Sequence, residues 1–125
     1  MIAYKGFDTE LKARWGSGTF QYEAGKTYEE ERSKCASGGF HCAENPADCL
    51  KWYPLGAGNR YFLVEAAGSL DETTGDSKIA CTQITLLKEL TTKELVGHAM
   101  MYMVRHPLRE WEGSHTCLQI CKDKA

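Results

Sequence analysis

Apolar and polar positions alternate from Ile2 to Phe7, the period of a half-buried strand. The alternation returns over Thr19–Tyr22 and predicts a short strand that closes on an Ala24-Gly25 turn. Between the two, Gly16 and Gly18 mark Lys12–Gly18 as a loop, and after the turn Lys26–Tyr28 leads into a solvated segment, Glu29–Arg32. Gly38–Cys42 predicts another strand. Asn45-Pro46 then opens a short helix near 46–53: Asn45 caps, Pro46 loses no useful N–H at the first helical position, and Asp48 faces the positive end. Pro54 stops it, and Leu55–Asn59 is a loop. Arg60–Ala67 and Lys78–Leu87 are apolar-rich strands joined by a polar, acidic stretch, which suggests an antiparallel pair. Thr91-Thr92-Lys93-Glu94 has the form of a capping box and starts a longer helix near 92–105, ended by Pro107. Cys117–Cys121 has the pattern of a final strand in a tail that is ambiguous after about residue 112. The expectation is one compact α+β domain over 1–125, mostly antiparallel sheet with two helices.

The longer helix has an unusual distribution of apolar residues. Leu95, Ala99, Met100 and Met103, with Val96 and Val104 alongside, form a broad face, and Met101 and Tyr102 fall outside it. A surface helix ordinarily keeps one polar side. Flexible Met and amphipathic Tyr suit contact surfaces, so Met101, Tyr102 and Trp111 are the candidate partner-binding residues.

Composition narrows the classes. Fifteen Lys plus Arg against seventeen Asp plus Glu give a net charge of −2, so neither a generic nucleic-acid footprint nor an acidic DNA mimic is expected. The amino end reaches Lys5, Asp8 and Glu10 too soon for a secretory h-region, and no stretch is apolar for the ~20 residues that cross a bilayer. A cytoplasmic protein with reduced thiols is therefore expected. Six cysteines are the one unusual figure. Only Cys117 and Cys121, with His115 nearby, approach the tight spacing of a zinc site, and they are weak metal candidates. Buried thiols acting as small hydrophobes explain the cysteines better. Gly56 and Gly58 follow a helix and precede a strand, the reverse of a dinucleotide fingerprint. No cofactor is expected, and no catalytic set is assigned.

Several ordered stretches resemble a known family: Ala3–Asp8, Phe20–Tyr28, Gly39–Pro46, Trp52-Tyr53-Pro54 and Gly75–Ala80. Together they resemble a small domain of unknown function carried mainly by bacteriophages and prophages. The resemblance implies a phage-derived origin and action in a bacterial cell through direct binding of a host protein, with an anti-CRISPR or other anti-defence role as the expectation. A fainter likeness is to the element order of ADP-ribosyltransferases. It would make Tyr4, Tyr53 and Glu89 the catalytic candidates of an NAD-using alternative, although the His-Gly and Ser-x-Ser signatures of those enzymes are missing.

Overall fold

The computed structural model describes residues 1–13, 20–30, 39–72 and 77–107. Its elements are β1 (Ile2–Phe7), β2 (Lys12–Ala13), β3 (Phe20–Gln21), β4 (Thr27–Glu29) and β5 (Phe40–Ala43), then a 3-10 helix (Pro46–Lys51). They continue with β6 (Arg60–Glu72), β7 (Lys78–Leu90) and α1 (Thr92–Arg105). The α+β expectation holds, with an antiparallel sheet at the centre.

β1 lies between β5 and β6, with Lys5 opposite Phe62 and Tyr4 opposite both Leu63 and Ala43. β7 runs antiparallel to β6 along one edge and takes first β5 and then β4 along the other. The pairings β1–β6, β6–β7, β7–β5 and β5–β1 therefore form a closed ring of strands. β2 and β3 make a separate two-residue ladder.

Closure divides the apolar side chains into two clusters. One gathers Phe7, Tyr22, Phe40, Phe62, Ile84 and Leu86 on one side of the strands. Phe7 meets Tyr22 and Phe62 edge to face at 5.1 and 5.5 Å, contacts worth about 0.5–1.5 kcal/mol each beyond area burial. The other cluster holds Ala43, Cys49, Tyr53, Tyr61 and Leu90 beneath Leu95 of α1.

Four expectations from the pattern change. Lys12–Ala13 is a strand at the start of the predicted loop, because Asp8 Oδ1 accepts from the Glu10 and Lys12 N–H groups and turns the chain back. Thr27–Glu29 is a strand where no element was expected, reaching one residue into the segment read as solvated, since its backbone pairs with Gln83–Thr85 and only Tyr28 is half-buried. The 46–53 helix is a 3-10 helix ending at Lys51, with Asn45 capping Ala47 N–H as expected. The hairpin is also longer than predicted: β6 runs on to Glu72 and β7 to Leu90, with a register shift between Ala67 and Leu70, where Gly68 takes φ +76°. A shift of this kind takes up the twist of a long hairpin.

Gly6 fixes the distance between β1 and the loop after the 3-10 helix. A Cβ there would sit 2.7 Å from Tyr53 Cδ2 and 2.9 Å from Tyr53 Cβ. Gly6→Ala is expected to cost about 2 kcal/mol, because Tyr53 is buried and its whole residue would have to move. Urea unfolding measures this, and an unchanged midpoint would show that the layer can shift freely.

Candidate functional site

β1 carries chemistry on both faces. Tyr4 and Gly6 face α1 and Tyr53, while Ala3, Lys5 and Phe7 face the aromatic cluster. Lys5 is buried at 7% exposure, and its Nζ donates to the His41 carbonyl at 2.5 Å. The same nitrogen lies 5.6 Å from the Phe7 ring centre and 5.5 Å from that of Tyr22. Burial pushes its pKa below the ordinary lysine value, against the opposing influence of Cys42, Cys49 and Cys81. Cys42, Cys49 and Cys81 are buried free thiols, the state expected for the cysteines. Cys35, Cys117 and Cys121 lie outside the described residues. The hydrogen bond to Cys81, followed by burial, holds the Cys42 thiol well above its usual range, and burial pushes Cys49 up to about 12. Both are therefore protonated at neutral pH, which suits packing and not nucleophilic attack.

The inner face of α1 is unexpectedly polar. Thr91 and Glu94 form the capping box: Thr91 Oγ1 accepts from Glu94 N–H at 3.1 Å, and Glu94 Oε1 accepts from Thr91 N–H at 3.0 Å. The helix that follows lowers Leu95, His98 and Tyr102 towards the strands. Tyr4 Oη and His98 Nδ1 are 2.8 Å apart, with their rings edge to face. Tyr102 donates to Glu44 Oε1 at 3.2 Å, and its ring stacks on His106 at 4.0 Å. Burial raises the Tyr4 pKa, so its phenol stays protonated and able to donate. The helix is thus anchored by two phenols, at His98 and one turn later at Tyr102.

This changes the expected contact surface. Tyr102 is buried at 8% exposure and serves as an anchor, not as a partner contact. Its hydroxyl finds Glu44, so the ring can go inside without an unpaired polar atom. Met101 is exposed at 53%, as expected. The broad apolar face read from the sequence is split: Leu95 is buried, whereas Met100 at 62%, Val96 at 44% and Val104 at 77% face outward. Trp111 lies outside the described residues, as do the weak metal candidates His115, Cys117 and Cys121. Among the described residues, no group of three His, Cys, Asp or Glu could hold a metal ion.

Tyr4 and Tyr53 share the helix-side cluster. Glu89 pairs with Phe62 in the ladder, between Lys88 and Leu90, and so points to the opposite side of the strands. There Arg60 holds it through two hydrogen bonds of 2.8 and 2.7 Å. The pattern did not reveal Lys5 as a buried residue. The available signal was its position two residues from both Ala3 and Phe7, which places all three on one face.

The arrangement defines a class: a small α+β domain with a closed antiparallel ring, a buried lysine near buried thiols, and a helix with exposed apolar residues on its outer face. By its sequence the chain belongs to the family described as Domain of unknown function (DUF7666), whose profile matches residues 1–98. That match takes in the whole strand ring and the first half of α1. No curated protein matches the chain. Among the described residues no helix is long and apolar enough to cross a membrane.

Proposed function

We propose that this is a small phage- or prophage-derived protein that acts in the bacterial cytoplasm by binding a host protein directly, as an inhibitor of a defence system such as CRISPR interference. The observation that carries the binding part is the outer face of α1, where Val96, Met100, Met101 and Val104 stand exposed on a helix whose inner face is already committed. A contiguous exposed apolar patch of this kind marks interaction surfaces more often than isolated apolar residues do. The phage and anti-defence part draws support from the motif resemblance described above.

The test is capture from a bacterial lysate on immobilised wild-type protein and on Val104→Glu. Val104 is 77% exposed, so the substitution leaves the fold intact while placing a charge in the patch. Wild type is expected to retain a host protein that Val104→Glu retains at least about tenfold less. Expression of wild type, but not of the variant, should restore plaque formation on a host with active CRISPR defence. Equal capture by both proteins, or no capture, overturns the binding reading. Capture without any effect on defence overturns the anti-defence part alone.

A further inference from the structure

Cys81 differs from the other buried thiols in what surrounds its sulfur. It lies on β7 opposite Phe40 of β5, while Cys42 lies opposite Ile79. Residues two apart on a strand share a face. Cys42 and Cys81 are therefore diagonal neighbours on one side of the β5–β7 ladder, within the cluster that holds Phe7 and Phe40. A hydrogen bond joins the two sulfurs. Along its other edge Cys81 pairs with Leu70, where the register of β6 skips from Ala67. Irregularities of this kind take backbone groups out of the ladder and re-aim them. Here the N–H groups of Ala67 and Gln83 are aimed at the Cys81 sulfur.

Lys5 supplies the charge. Its ammonium is buried against a neutral carbonyl, and among the described residues no carboxylate forms a salt bridge with it. A buried charge needs a counter-charge or gives up its proton. Cys42, Cys49 and Cys81 are the groups in its field that can become anionic. Of the three, only Cys81 is held below the usual thiol range, by the Cys42 hydrogen bond first, against burial, and with help from Lys5 and the two N–H groups. The thiolate is the nucleophilic form of cysteine, and a neighbouring lysine with aimed donors favours it. We infer that Cys81 and Cys42 form a redox-active dithiol, in which Cys81 attacks a hydroperoxide and Cys42 resolves the product into a disulfide between β5 and β7.

In the first step the Cys81 thiolate attacks one peroxide oxygen. An S–O bond forms, the O–O bond breaks, and hydroxide leaves and takes a proton from solvent; sulfur is oxidised and peroxide oxygen reduced. In the second, the Cys42 sulfur attacks the sulfenic sulfur of Cys81, the S–S bond forms, and the hydroxyl leaves with the Cys42 proton as water. The oxidant has to be small and uncharged, because Cys81 is 0% exposed. Local opening of the sheet at the bulge, where Gly68, Ser69 and Leu70 are all exposed, gives it access. Diagonal neighbours lie about 7–8 Å apart at Cα, beyond the relaxed span of a disulfide. Closing the bond therefore draws the four-residue β5 along β7, and a strained disulfide of this type is readily reduced again.

The test is limited hydrogen peroxide treatment of the reduced full chain, followed by alkylation and peptide mapping without reductant. A disulfide joining the Cys42 and Cys81 peptides is expected, and glutathione should reverse it. Cys49 is the internal control, since it is also buried, at 3%, and its thiol is pushed up to about 12. Oxidation through global unfolding would strike Cys49 and Cys81 alike, whereas Cys81 is expected to react at least about tenfold faster. Cys42→Ala should leave Cys81 as a sulfenic acid that dimedone traps. Lys5→Met should slow the Cys81 reaction about tenfold, because the cation that favours the thiolate is gone. Equal rates at Cys49 and Cys81, or a Lys5→Met protein that reacts like wild type, overturns the inference. So does a disulfide from Cys81 to any cysteine other than Cys42, or no Cys42–Cys81 disulfide at a dose that oxidises the exposed Met100 and Met101. If Cys42→Ala fails to fold, the comparison of Cys81 with Cys49 in wild type decides alone.

Discussion

Asp48→Ala is expected to lower the unfolding free energy by about 3 kcal/mol, the range for removing one partner from a buried charged network. Asp48 is buried in the 3-10 helix, and its Oδ2 accepts from Ser77 N–H at 2.9 Å and from Ser77 Oγ–H at 2.6 Å. Ser77 Oγ in turn accepts from Asn45 N–H at 2.8 Å, and Glu44 N–H donates to the Ser77 carbonyl at 3.1 Å. The carboxylate thus joins the residue before β7 to the cap of the 3-10 helix. Alanine leaves two Ser77 donors facing a site without an acceptor. Asp48→Asn keeps an acceptor of the same shape without the charge and should lose only about half as much, because bonds to ionised groups are roughly twice as strong. Urea unfolding monitored by Trp fluorescence reads both variants. An Ala variant as stable as wild type, or an Asn variant as damaged as the Ala variant, would remove the network from the account.

Lys5→Met should instead stabilise the domain at neutral pH, by about 1–2 kcal/mol. Replacing buried charge by apolar volume is commonly neutral or favourable, and methionine retains the length that fills the space between Phe7 and Tyr22. The pH dependence gives the sharper signature. Burial holds the folded-state pKa of Lys5 below its ordinary value of 10.5. Between those two values the unfolded chain binds more protons than the folded one. The lysine's contribution to unfolding free energy therefore rises with pH through that window and is least favourable below the folded value. The advantage of Met over Lys should accordingly be greatest at neutral pH and shrink as pH approaches 10.5. Comparison with Lys5→Met isolates this effect from neighbouring Tyr22, whose phenol burial pushes upward and which acts in the opposite direction above its ordinary value of 10.0. A constant difference between the two proteins across pH 7–10.5 would mean that Lys5 reaches water.

Much of the architecture is legible in the residues because local and long-range preferences agree. Ile2–Phe7 has strand alternation and becomes β1 with those bounds, and the Thr91–Glu94 box starts α1 where both partners of the cap are visible. The elements that escaped notice depend on distant partners. Thr27–Glu29 has little apolar content, and its strand form comes from the open edge of β7 some 55 positions on, at Gln83–Thr85. The polar stretch beyond Ala67 stays extended because β7 continues opposite it as far as Ile79.

The candidate surface was half legible for a different reason. Hydropathy ranks Met100 above Tyr102 for burial, yet Tyr102 goes inside because Glu44, 58 positions away, accepts its hydroxyl. Lys5 is the same case in reverse, since the His41 carbonyl and two aromatic rings form around it only once the ring of strands closes. Periodicity locates a face, but a polar atom's distant partner decides which face turns inward.

The closed ring also limits how another molecule can attach. β7 is paired along both edges over residues 79–81 and 83–85, so its backbone donors and acceptors there are committed within the domain. Along that length it cannot act as a template on which an incoming segment forms an extra strand, a common route to both peptide recognition and amyloid-type growth. There a partner meets side chains, and its specificity then follows from shape and charge and not from main-chain pairing.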